Sequence, residues 1–198
     1  EYHRVIHAAA QSAVSSERKT VTRGECIVAI LRILGVDDEA ADDYAGATYD
    51  QTPFLDLMGD DLDYGYIRLA KFENIGFGVR PTVEYANIFD ADRPVTVKEC
   101  LTFMLRGLKG SDNVNWNTVA QDSIDIGLYN VETYMLNMES QLLSANEFYT
   151  LLHSMLNMKR YLYWPGMDWD EGAFSVKMQI DSGSGMRYID WILDEKII

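Results

Sequence analysis

No apolar run in this 198-residue chain approaches the ~20 residues that a membrane-crossing helix needs. Membrane insertion is therefore not expected. Basic residues are also scarce: 17 Lys and Arg stand against 31 Asp and Glu, a net charge of −14. A phosphate-binding surface needs clustered cations, so nucleic acid is a poor partner, and anionic lipid is disfavoured for the same reason. Only two cysteines occur, Cys26 and Cys100. They read as small buried hydrophobes rather than as a disulfide. There is no glycine-rich phosphate loop, no Gly-x-Ser-x-Gly elbow and no Cys–His nucleophile context. Carboxylate pairs for glycoside hydrolysis can be drawn among so many acids, but nothing singles one out. The expectation is a protein without catalytic residues, cofactor or metal. Starting at Glu1, with no initiator Met and no leader, the sequence reads as a mature or excised fragment.

What is present is a soluble-protein balance, 47% apolar and 24% charged, and a phrase written three times. The copies are Val21-Thr22-Arg23-Gly24-Glu25, Val95-Thr96-Val97-Lys98-Glu99 and Leu143-Ser144-Ala145-Asn146-Glu147. A hydroxyl residue followed three positions later by glutamate, ahead of an apolar run, is a capping box. The hydroxyl accepts the N–H of the third helical residue, and the glutamate accepts the N–H of the cap. Thr22/Glu25, Thr96/Glu99 and Ser144/Glu147 are thus expected to open three equivalent helices. Each is followed by a stripe at i, i+4, i+8: Cys26/Ile30/Leu34, Cys100/Met104/Leu108 and Phe148/Leu152/Leu156. Three equivalent stripes are most simply buried against one another around a central axis.

A second helix is predicted ahead of each phrase. The middle one runs over 66–75 and stops at Gly76; the third runs over 118–126 and stops at Gly127. An Ile-Gly ending suits a left-handed cap in both. The first counterpart covers about 3–14 and lacks that ending. Residues 36–60, with Asp37, Asp38, Glu39, Asp42 and Asp43, read as an acidic connector, either a solvated loop or a helix face. Beyond about residue 158 the period changes. Stretches 174–180 and 186–192 alternate like strands around a 181–185 loop, which predicts a hairpin.

Other groupings have plain explanations. His3 and His7 have zinc-compatible spacing but no third ligand, so they read as surface residues. His153 occupies a leucine-like repeat position and reads as partly buried. Asp168-Trp169-Asp170-Glu171-Gly172 does not complete a calcium loop, and Asp60, Asp61 and Asp63 read as solvated. Tyr161, Tyr163, Trp164 and Trp169 read as docking the C-terminal element onto the helices rather than as a sugar platform.

The three phrases and their surroundings resemble the S-layer homology (SLH) family of three tandem helix-loop-helix motifs. In that family the loop commonly ends Phe-x-Pro/Asp-x-x-x-Val-Thr-Arg-Ala-Glu. Phe89-Asp90-Ala91-Asp92-Arg93-Pro94-Val95-Thr96-Val97-Lys98-Glu99 follows this pattern with the arginine replaced. Val21-Thr22-Arg23-Gly24-Glu25, with Leu34-Gly35 after its helix, follows it best. The resemblance implies a mainly α-helical fold: three pseudo-repeated motifs (about 1–36, 54–110 and 114–158) around a central three-helix bundle. A β appendage, or the start of a further module, would occupy 159–198. It also implies a function: non-covalent attachment of an exported bacterial protein to the cell wall through secondary cell-wall polysaccharide, often bearing pyruvate ketals. Arg23, at a helix N-terminus beside the permissive Gly24, is the expected carboxylate partner. Trp116, near the start of the third unit's first helix, matches an aromatic often found there in the family and is expected to be structural and to line a groove. The arginine position is occupied by Val97 and Ala145 in the other copies, and Lys98 is rotated about 100° around the helix. The alternative is therefore a degenerate SLH-like scaffold for protein–protein interaction, without polymer binding.

Overall fold

Three backbone hydrogen bonds tie the three phrases into a closed ring. In the computed structural model, the N–H of Val21 donates to the carbonyl of Leu143 at 3.2 Å. Leu143 donates to Val95 at 2.9 Å, and Val95 donates to Val21 at 2.9 Å. These residues sit one position ahead of each cap, so all three capped helices start from one point. The structure describes residues 20–47, 54–57, 63–79, 88–130, 138–165, 169–170, 173–174 and 178–195. Within them the fold is mainly α-helical, with small antiparallel β pairs.

The capped helices are α1 (Arg23–Ile33), α4 (Val97–Lys109) and α6 (Ala145–Asn157). All three capping boxes form in both directions. All nine stripe residues are buried, as alternation at 3.6 residues per turn demands. The helices meet at Gly107 of α4. A side chain there would come within 3.1 Å of Leu34, 3.6 Å of Ile30 and 3.7 Å of Met155. Cys26 and Cys100 are free thiols, fully buried and adjacent to each other. Burial pushes the Cys100 thiol well above its ordinary range, and the hydrogen bond with Cys26 adds to this.

Ahead of α4 lies α3 (Tyr64–Phe72), and ahead of α6 lies α5 (Val119–Asp125). The Ile-Gly reading holds at Gly127 and is corrected at Gly76. The left-handed residues are Asn74 (φ 58°) and Gly127 (φ 77°). The N–H groups of Ile75 and Gly76 both return to the carbonyl of Ala70, and those of Leu128 and Tyr129 return to Ser123. Asn74 therefore corresponds to Gly127, and Gly76 to Tyr129. Asn tolerates the left-handed region through its short polar side chain, which freed Gly76 from that role. The predicted helix at 3–14 lies outside the described residues.

The acidic connector is largely helical. In α2 (Asp38–Ala47), Asp37 accepts the N–H of Ala40 at 2.7 Å. Ala40, Ala41 and Tyr44 are buried. Gly65 of α3 admits this contact, since a side chain there would lie 2.1 Å from the Ala41 carbonyl. The aspartates are thus the outer face of a packed helix.

The C-terminal segment is only partly as expected. β1 (Leu162–Tyr163) pairs antiparallel with β4 (Gln179–Ile180), and β2 (Trp169–Asp170) with β3 (Ala173–Phe174). The predicted strand at 186–192 is instead helix α7 (Tyr188–Glu195). Tyr188, Ile189, Trp191 and Ile192 are buried while Arg187, Asp190 and Leu193 face out, a helical rather than a two-residue period. The Tyr188 hydroxyl donates to the Leu162 carbonyl at 2.6 Å and accepts the Leu162 N–H at 3.2 Å. Trp164 is buried, and its backbone N–H donates to the Leu34 carbonyl at 2.7 Å. Tyr163 meets the Trp191 ring edge-on at 5.6 Å. These contacts fit the docking reading of the aromatics; Tyr161 is exposed, and the side chain of Trp169 lies outside the described residues. His153, expected to be partly buried, is exposed on α6.

Candidate functional site

A helix N-terminus offers four unpaired N–H groups, and an anion can bind there only if they are free. At α1 they are not. The Thr22 N–H donates to Glu25 at 2.7 Å, and the Glu25 N–H to the Thr22 hydroxyl at 3.2 Å. The Arg23 N–H donates to the Arg93 carbonyl at 3.0 Å, and the Gly24 N–H to Ala91 at 2.9 Å. The 89–93 loop therefore seals this end. Gly24 does permit close approach, but to the protein itself: a side chain would lie 2.6 Å from Asp63 Oδ2.

Arg23 points the same way. It is 2% exposed, and all three guanidinium nitrogens donate internally. Nε donates to the Phe89 carbonyl at 2.9 Å, Nη1 to Glu99 Oε1 at 2.7 Å and Nη2 to the Phe77 carbonyl at 2.6 Å. Its plane rests against the rings of Phe89 (4.8 Å) and Phe103 (5.3 Å). Arg93 adds a second guanidinium to Glu99 Oε1 at 2.6 Å. Burial pushes the Arg23 guanidinium below its usual range, against the pull of Glu99. Burial also opposes ionisation of Glu99, but the Arg93 hydrogen bond and the Arg23 charge outweigh it and hold that carboxyl below its ordinary value. The residue expected to bind a ligand carboxylate thus has a carboxylate of its own chain.

Trp116 is placed elsewhere. It is 39% exposed, and the Lys98 ammonium sits 4.5 Å over its ring. Lys98 also pairs with Glu139. The structure brings Arg23 and Gly24 together against the 89–93 loop and leaves Trp116 with Lys98. Glu99, one of the six capping residues, holds two guanidinium partners in addition to its box. The partners of Arg23, namely Phe77, Phe89, Arg93 and Phe103, were not anticipated, because a capping motif carries no signal for contacts so distant along the chain.

A third locus is an open groove of about 550 Å³ between the end of α5 and the outer face of α6. Leu128, Tyr129 and Asn130 form one wall; Glu147, Thr150 and Ser154 form the other. Glu147 uses Oε2 for its capping box at 3.0 Å, while Oε1 meets the Gln141 amide at 3.5 Å. Aligning the units on their left-handed residues, rather than on Ile-Gly, would have exposed this groove as a run of small replacements.

Among the described residues no three His, Cys, Asp or Glu side chains gather as a metal site, and no helix is long and apolar enough to cross a membrane. His3, His7, Asp60, Asp61, Asp168 and Glu171 lie outside the described residues, as does the side chain of Asp170. Comparison with known proteins finds no matching family model, no matching curated protein and no matching solved structure.

Proposed function

We propose that the chain is a non-catalytic module of SLH-like architecture, built from three pseudo-repeated helix-loop-helix units around a central three-helix bundle. We further propose that it serves an exported bacterial protein at the cell surface as a protein-interaction scaffold. The hydrogen-bonded ring of Val21, Val95 and Leu143 supports the architecture. The single observation carrying the functional choice is the enclosure of Arg23: its guanidinium joins the first unit to Glu99, Phe77 and Phe89 of the second. In this reading the arginine that would hold a pyruvylated wall polysaccharide in the family instead braces two units together.

One observation favours anchoring as a second reading. The exposed Trp116 beside Lys98 offers a ring face and an ammonium, which suit a sugar and its acidic substituent. Sedimentation of the chain with purified cell-wall sacculi separates the two. The scaffold reading predicts that the wild-type chain stays in the supernatant. Retention that is lost in both Trp116→Ala and Lys98→Gln would overturn it in favour of the wall polymer.

A further inference from the structure

The second and third units present the same surface with opposite filling. Paired through their capping glutamates, Glu99 corresponds to Glu147, Phe103 to Leu151 and Arg106 to Ser154. Paired through the left-handed Asn74 and Gly127, Lys71 corresponds to Ile124 and Phe77 to Asn130. In the second unit, the Arg106 guanidinium stacks 3.9 Å and the Lys71 ammonium 5.0 Å from the centre of the Phe77 ring. Its carbonyl receives Arg23. In the third unit each of these positions carries a shorter or uncharged side chain, and Val97 stands where Arg23 would. The groove of about 550 Å³ opens where that stack would lie. This volume is within the usual range of ligand sites.

The charge balance of the two surfaces differs more than their shape. Glu99 is paired with the guanidinium groups of Arg23 and Arg93, while Lys71 and Arg106 stand at the Phe77 ring. The third unit keeps Glu147 and has Val97, Gln141, Ile124 and Ser154 in the places of Arg23, Arg93, Lys71 and Arg106. Among the described residues lining the groove, Glu147 is the charged one. Its counterpart oxygen, Glu99 Oε1, receives N–H groups from two guanidinium ions. The surrounding protein, at a net charge of −14, favours approach of a cation.

We propose that this groove receives the guanidinium of an arginine presented by a partner polypeptide, with the head group on Glu147 Oε1 and the stem along Ile124 and Leu151. The flat fork of arginine suits a carboxylate beside a wall of apolar side chains better than the compact, strongly hydrated ammonium of lysine. This inference rests on the scaffold reading and names the chemistry of the partner.

The test titrates the full chain with Nα-acetyl-arginine methylamide and follows backbone amide shifts, with Nα-acetyl-lysine methylamide in parallel. Saturable shifts are expected at Leu128, Glu147, Thr150 and Ser154, with the lysine probe about tenfold weaker. Glu147→Gln keeps a residue able to close the capping box and is expected to weaken the arginine probe about tenfold. Ser154→Arg supplies the counterpart of Arg106 in cis and is expected to abolish binding while the thermal midpoint holds. No saturable shift at the groove, equal affinity for both probes, or affinity unchanged in the two variants would each overturn the proposal. Retention on sacculi, measured separately, would overturn the scaffold reading beneath it.

Discussion

Glu99 and Glu147 close the same capping box, yet one lies in a packed seam and the other on an open groove. The difference is made by residues far away in sequence. Glu99 holds Arg23 and Arg93, and the rings of Phe89 and Phe103 fill the space around Arg23. Glu147 meets the Gln141 amide outside its box and shares its wall of the groove with Thr150 and Ser154. A repeated local motif fixes where a helix starts, while its surroundings decide whether the same carboxylate is enclosed by guanidinium groups or faces an open groove.

The comparison is broken most severely at Arg23. Arg23→Ala leaves Glu99 with Arg93 as its guanidinium partner, strands the Phe77 and Phe89 carbonyls and empties a buried site. Urea denaturation is expected to show a loss of about 3–5 kcal/mol, the usual cost of removing one partner from a buried pair. A loss under about 1 kcal/mol would mean that the seam does not hold the units together.

Next in size is the contrast between the glutamates. Glu99→Gln leaves the buried Arg23 charge without its counter-ion and should cost about 3 kcal/mol. Glu147→Gln, with no such partner, should cost less than about 1 kcal/mol. Equal losses would erase the distinction between the two regions. pH sharpens the same point. The Glu99 carboxyl is held below its ordinary value, so its contribution is fully present above the unfolded value near 4.3 and is lost as pH falls through the lower folded value. Wild-type stability should therefore drop below about pH 4.3 more steeply than that of Glu99→Gln.

The smallest effect is expected at Trp116. It is exposed and touches the Lys98 head group, so Trp116→Ala should change stability by no more than about 0.5 kcal/mol.

The sequence makes some of this legible and hides the rest for physical reasons. Thr22/Glu25, Thr96/Glu99 and Ser144/Glu147 are local pairs three residues apart, so their caps can be read directly, and the burial of the nine stripe residues follows from periodicity. The destination of Arg23 cannot be read this way: its partners are 54 to 76 residues distant, and the same arginine beside a glycine at a helix start suits an anion site equally well. Ile75-Gly76 and Ile126-Gly127 look alike, but Asn74 takes the left-handed turn that glycine was expected to take, which shifts the alignment by two residues and conceals the groove. The stretch 186–192 carries Tyr188, Ile189, Trp191 and Ile192 at spacings compatible with either period; packing against Leu162 and the end of α1 selects the helix. The acidic connector hides its helix because Ala40, Ala41 and Tyr44 are too few to stand out among the aspartates.

The central claim is that Arg23 and Glu99 act as a single brace between the first and second units. A double-mutant cycle with Arg23→Met and Glu99→Gln, read by equilibrium urea unfolding, measures this most directly. The account predicts a coupling of about 2 kcal/mol or more, with the double variant far more stable than the sum of the single losses implies. Additive losses, with a coupling within about 0.5 kcal/mol of zero, would contradict it.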